Sequence, residues 1–409
     1  MPPVTRALTG LPAGPAGSGH TGRQLVLLKE GTGRAGAEIV RNATGLPMAL
    51  SSDFDGCVRQ TRLAPGEGML FERLGAALLH SDPDQARALL DRTDAQTLLL
   101  VEPERYVRAR GLADRPTATT LPPADTTLGT WGLQATRGLS SRYTGRGIRV
   151  AILDTGLDLQ HPDFAGRTIV SQSFVTGLPV DDDNGHGTFC AGVACGPQRP
   201  AGRPRYGIAF GADLYIARVL DHNADGTDGN VLAGIDWAVR NNCAVISISL
   251  GSPVALGDSY PRVYEQVAAR ALAAGSLLIA PAGNESQRPD TIAPVEHPAN
   301  CPSILAIGAV DPSFAVAPFS NGGLNPHGGE VSLAAPGIAI VSAAPRPTLY
   351  QTASGTSMAA PYAAGIAALL AEANPTARGA ALQGLLLQSF LALAAPARDV
   401  GAGLVQAPQ

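Results

Sequence analysis

Five apolar runs recur through the later part of the chain: IRVAILDTG (148–156), LYIARVL (214–220), AVISISL (244–250), SLLIAPAG (276–283) and ILAIGAV (304–310). They lack the strict alternation of a half-exposed strand, so each reads as a strand buried on both faces. Helical patterns such as VLAGIDWAV (231–239) and VYEQVAARALAAG (263–275) lie between them. Apolar strands alternating with helices predict an α/β fold, a parallel sheet covered by helices on both faces. Functional groups in such sheets collect at the carboxyl ends of the strands.

The earlier part of the chain has a different rhythm. QLVLLKE (24–30) reads as a short strand, MLFERLGAALLH (69–80) as a longer one, and TLLLVEPERYVRA (97–109) as a third. Ser81-Asp82-Pro83-Asp84-Gln85 is a helix-start signature, with Asp82 as cap, Pro83 at the first helical position and Gln85 closing a capping box. The helix that follows turns Ala86, Leu89 and Leu90 inward. These elements predict a small α+β domain over 24–109, preceded by a flexible arm (1–23) rich in Gly and Pro. A Thr-, Pro- and Ala-rich linker (110–130) joins it to a large domain (131–409).

Composition narrows the function classes. With 30 Lys+Arg against 34 Asp+Glu the net charge is 30 − 34 = −4, which argues against a nucleic-acid binder held by phosphate contacts. Hydrophobic residues at 45% and charged ones at 16% exclude a disordered chain. Cys57, Cys190, Cys195, Cys243 and Cys301 form an odd set without a CxxC pair, so buried free thiols are expected rather than a disulfide framework or a zinc site. Two uncharged windows, 353–371 and 379–397, open on a Gly-Thr-Ser turn or hold Gln, Ser and Pro396, so no membrane span is expected. The first residues carry no apolar run of the export type, and the expectation is a cytoplasmic protein.

Three short segments carry the chemistry. Asp154 closes a strand in Leu-Asp-Thr-Gly, His186 sits in Asn-Gly-His-Gly-Thr, and Ser357 opens a helix in Gly-Thr-Ser-Met-Ala-Ala-Pro. A serine hydroxyl becomes nucleophilic when a histidine takes its proton, and a carboxylate fixes the tautomer of that histidine. A helix start adds free N–H groups beside a developing oxyanion, and Asn284, in Pro-Ala-Gly-Asn-Glu, can add a side-chain donor. Singly, each motif is an ordinary turn or cap. Asp, His, Asn and Ser together in this order are not. A degenerate peptide-binding module would lack one of the three, and none is missing.

The large domain resembles the subtilisin-like serine proteases, or subtilases, whose triad follows the order Asp–His–Ser. The resemblance implies a serine endopeptidase working through an acyl-enzyme, with Asp154, His186 and Ser357 as triad and Asn284 in the oxyanion hole. It further implies that Ser249-Leu250-Gly251 and the loop at Gly226-Thr227 flank a peptide or protein substrate as two strand edges. In the same register Glu296 stands where many subtilases carry a glycine at the floor of the first specificity pocket, which suggests a basic residue before the cut bond. Cys190, four residues past His186, is similar to the free thiol of the proteinase K-like branch. Asp163 matches a carboxylate that often ligates calcium, but the segment 196–207, with Arg199, Arg203 and Arg205, replaces the usual loop. No cofactor is therefore expected to be required. The region 24–109 resembles a subtilase pro-domain, which implies a self-processing zymogen and an intramolecular inhibitor.

Overall fold

The computed structural model describes residues 19–54, 63–91, 98–109 and 125–409. The small domain consists of β1 (His20–Leu28), α1 (Ala35–Thr44), β2 (Met48–Leu50), β3 (Gly68–Phe71), β4 (Ala76–Leu79), α2 (Pro83–Asp91) and β5 (Leu98–Arg108). Strand β1 begins at His20, inside the segment expected to be an arm, because the unpaired edge of β5 extends far enough to accept it. The strand expected over 69–80 is instead a hairpin. Gly75 adopts φ +57°, and its N–H reaches Phe71 O at 2.9 Å, so the chain reverses at Glu72–Gly75. The capping box forms as predicted: Gln85 N donates to Asp82 Oδ1 at 2.8 Å and Asp82 N to Gln85 Oε1 at 3.0 Å. Ala86 and Leu89 point inward; the side chain of Leu90 lies outside the described set, as does Cys57.

The large domain continues with α3 (Trp131–Ala135), β6 (Arg149–Asp154), β7 (Ile169–Ser173), α4 (His186–Cys195), β8 (Asp213–Arg218), β9 (Asp225–Thr227), α5 (Asp228–Arg240), β10 (Val245–Ile248) and α6 (Arg262–Ala273). Then come β11 (Leu277–Pro281), β12 (Ile304–Val310), β13 (Leu333–Pro336), β14 (Ile340–Ala343), β15 (Tyr350–Ala353), α7 (Thr356–Ala373), α8 (Ala380–Gln388), β16 (Phe390–Leu391) and β17 (Leu404–Val405). The main sheet runs β16-β17-β13-β12-β11-β10-β6-β8-β7, parallel from β17 to β7.

Each central strand is buried on both faces, as its unbroken apolar run requires. In β6, Val150 and Ile152 pack with α4 and α7, whereas Ala151 and Leu153 pack with α5 and α6. The small sheet is sandwiched too. Val26, Leu28, Leu70 and Leu79 pack with Val40 and Leu89 of its own helices. Leu25, Leu27, Phe71 and Leu78 join Val231, Ile235, Val263 and Val267 of α5 and α6 in one cluster. Among the described residues no helix is long and apolar enough to cross a membrane.

Candidate active site

Asp154 ends β6 at the carboxyl edge of the main sheet, and His186 begins α4 directly across from it. Two glycines make that approach possible. Gly185 turns the chain into α4 at φ +107°, and a Cβ on Gly187 would lie 2.3 Å from Gly156 O. His186 Nδ1 then lies 2.8 and 2.9 Å from the two carboxylate oxygens of Asp154. Burial alone would push the imidazolium pKa down. The charge and hydrogen bond of Asp154 outweigh it and hold His186 well above the usual range. His186 Nε2, the other ring nitrogen, is buried without a hydrogen bond among the described residues.

Ser357 is the second residue of α7 and is buried beside this pair. Pro361, inside α7, has no N–H to give the carbonyl four residues earlier. The Cys190 thiol uses that vacancy, donating to Ser357 O at 3.5 Å while lying 3.7 Å from His186 Nδ1. Burial raises the Cys190 pKa, so it acts as a neutral spacer between α4 and α7. Asn284 follows β11. Its Oδ1 accepts from Thr356 N at 2.8 Å and Thr356 Oγ1 at 2.9 Å, which fixes the amide with Nδ2 on the opposite side. A Cβ built on Gly355 would have Asn284 Nδ2 and Ser357 N each at 3.7 Å. Two donors therefore flank one small volume at the helix start, where an oxyanion would be stabilised.

The residues expected at the substrate edges come together around residues 106–109 of this chain. Residue Arg108 pairs reciprocally with Gly251, N to O at 2.8 Å and O to N at 3.0 Å. On the other side β5 pairs antiparallel with β9, Tyr106 opposite Thr227, Val107 opposite Gly226 and Arg108 opposite Asp225. Ala109 N then donates to Ala224 O at 3.0 Å. Gly226 and Thr227 thus hold the outer part of the slot, and Ala224 and Asp225 the part nearer the triad. Leu250 is buried, and Ser249 lies beside the Cys190 thiol. Glu296 is turned inward, only 4% exposed, and a Cβ on Gly251 would fall 2.3 Å from its Oε1. Of the linker arginines, Arg110 and Arg115 lie outside the described residues.

Sequence reasoning missed Asp182, in the acidic run before His186. Its Oδ1 accepts from Thr155 Oγ1 and Gly185 N, each at 2.8 Å, and its Oδ2 from Thr188 N and Oγ1 at 2.8 and 2.7 Å. It ties the histidine loop to the end of β6. The Asp163 carboxylate accepts from Tyr206 Oη at 2.5 Å and Tyr350 Oη at 3.1 Å, and Arg203 stacks on Tyr350. That donor set does not fit a calcium ion, because the oxygens a hard cation needs are already hydrogen-bonded and cations crowd the loop. Asp154, His186 and Cys190 are the one set of three potential ligands grouped within 4.8 Å among the described residues. These groups are engaged with one another: Asp154 orients His186 through Nδ1, and Cys190 packs beside the ring.

The fold and site define a class: parallel α/β domains that bring an aspartate, a histidine and a serine together at the carboxyl edge of the sheet. Residues 145–403 match the subtilase family (Peptidase_S8), and the chain belongs to that family. It is 38% identical to subtilisin E of Bacillus subtilis (strain 168) over 239 residues, 58% of this chain and 58% of that one. It is 37% identical to a thermostable alkaline protease of Halalkalibacterium halodurans over 264 residues, 64% of this chain and 67% of that one. The crystal structure of a cold adapted subtilisin-like serine proteinase superposes with a TM-score of 0.55 at 30% identity, covering 68% of this chain and 96% of that one. The chain thus spans about 58% of the length of curated relatives such as subtilisin E.

Proposed function

We propose that this chain is a serine endopeptidase, made as a zymogen whose small domain blocks the cleft until the enzyme cuts itself free. Ser357 Oγ attacks the peptide carbonyl as His186 Nε2 takes its proton. The carbonyl oxygen, now anionic, accepts from Ser357 N and Asn284 Nδ2. His186 then returns the proton to the leaving amine, the C–N bond breaks, and an acyl ester remains on Ser357. Water, deprotonated by His186, attacks the ester; the acid leaves and Ser357 recovers its proton. Asp154 keeps the Nδ1 proton in place and stabilises the imidazolium throughout. No metal or organic cofactor has a step in this scheme.

The observation that carries the reading is the buried Asp154–His186 pair beside a serine at a helix start with two donors behind it. The zymogen part rests on the tail, which fills the slot a peptide would occupy as an added strand. The test is to incubate the purified chain with a fluorophosphonate and follow intact mass and peptide maps. The expected result is one adduct on Ser357, and release of the small domain before labelling. No adduct on Ser357 overturns the peptidase reading.

A further inference from the structure

The tail at 106–109 makes more than backbone contacts. Arg108 faces Asp225 with Nη2 2.9 Å from Oδ2 and Nε on Oδ1, a two-pronged pair. Val107 on the neighbouring position is buried in the apolar cluster that includes Leu220, Ala224, Leu250 and Val231. Ala109 is buried as well. A bound peptide with the same register would therefore place alternate residues toward different walls.

Continuing that antiparallel register past Gly251 leads into the site. One pair further along, the residue two positions toward the peptide's C-terminus would lie opposite Ser249, which sits beside the Cys190 thiol under His186. On the peptidase reading above, that residue would precede the bond presented to Ser357. The carboxylate of Glu296 borders the same strand, against the α-carbon of Gly251.

We infer that the cleft selects peptides with basic residues at two alternate positions, Glu296 reading the residue before the cut bond and Asp225 the residue two positions earlier. The inference rests on the peptidase reading above and supplies its substrate class. A carboxylate in a nearly closed wall makes a strong charge-assisted contact with a guanidinium. Asp225 is more exposed, with a side chain 39% accessible, so its contribution is the smaller of the two. The chain's own sequence fits this preference: Arg108 is followed by Ala109, Arg110 and Gly111. The bond after Arg110 is then the processing site, and Gly111 the new N-terminus.

The test uses the full chain allowed to mature, with active sites counted by fluorophosphonate adducts on Ser357. Matched peptides carry Arg or Phe before the cut bond and Arg or Leu two positions earlier. For the first pair kcat/KM is expected to favour Arg at least tenfold, and for the second a few-fold. Glu296→Gln, which keeps the volume, is expected to lower the first ratio at least tenfold, about 1.4 kcal/mol. Asp225→Asn is expected to lower only the second. If Ser357 is labelled and peptides are cut with no preference for Arg, the inference falls and the peptidase reading stands. If Ser357 is not labelled and no peptide is cut, both fall. Peptide ratios in the wild type alone decide the matter should either variant fail to fold.

Discussion

At the scale of single residues, the site depends on a histidine held charged more easily than burial would allow. Desolvation opposes the His186 cation, yet Asp154 outweighs it and raises the pKa well above the ordinary imidazole value. Catalysis needs the neutral ring. Activity should therefore be low where His186 is protonated and rise with pH through its raised pKa, placing the acid limb of kcat/KM above the usual histidine range. Asp154→Asn removes the opposing charge, so that limb should move to lower pH. The rate should drop by about 3 × 10⁴, the scale set by losing this carboxylate in subtilisin. A pH–rate profile of both forms, with protein intact by circular dichroism, checks this; a limb that stays in place would mean another group controls it. Asp154, His186, Asn284 and Ser357, the groups proposed to react, were legible because each stands in a short motif at a strand end or helix start. Asp182 and Thr356 were not, since their role lies in holding Gly185, Thr188 and Asn284, which spacing along the chain does not reveal.

Among the elements, the two helices under the small sheet show how its carboxylates are used. Helix α5 begins at Asp228 and α6 at Arg262, and each leaves N–H groups without an intrahelical partner. Glu104 of β5 accepts from Gly229 N at 2.9 Å, and Glu102 from Arg262 N at 2.8 Å and Val263 N at 3.0 Å. Glu104 is fully buried and also binds Arg23, through Nε at 2.5 Å and Nη2 at 2.9 Å. Removing one partner of such a buried pair typically costs about 3–5 kcal/mol, because the other charge is left behind. Glu104→Ala, placed in a Ser357→Ala chain to prevent any cutting, is expected to loosen the small sheet selectively. Hydrogen exchange should rise in β1 and β5 while β6 and β10 keep their protection; unchanged exchange in β1 and β5 would refute this role. The sequence made β5, α2 and the parallel strands readable through their apolar runs and capping box. It hid the β3–β4 hairpin, because Glu-Arg-Leu interrupts the pattern too briefly to announce a reversal that depends on Gly75 reaching positive φ.

At the scale of the whole molecule, the two faces of the small sheet are buried by different partners. One face packs on the small domain's own two helices, and the other is buried only against α5 and α6. The two sheets were legible from the rhythm of their strands, but their mutual placement was not, since it depends on surfaces distant in sequence. Asp236 of α5 accepts from Ser51 Oγ at 2.8 Å and Arg73 N at 3.0 Å, and Arg270 of α6 donates to Leu74 O at 2.7 Å and Leu28 O at 2.7 Å. These contacts hold β5 on line with the slot. On the zymogen reading proposed above, a cut there would break the covalent link and leave the interface with α5 and α6 intact, so release of the domain is expected to follow as a slower step. Ser357→Ala removes the nucleophile while keeping the fold, and is expected to leave the chain at full length. Its loss of turnover should be on the order of 10⁶, the scale of removing this serine in subtilisin. Time-resolved intact mass of the purified wild type and variant separates the outcomes. Wild type should lose the small domain in isolation at a rate independent of protein concentration, because the tail is cut within its own chain. A variant that matures at the wild-type rate would show that another protease does the cutting, and a rate rising with concentration would show that one copy cuts another.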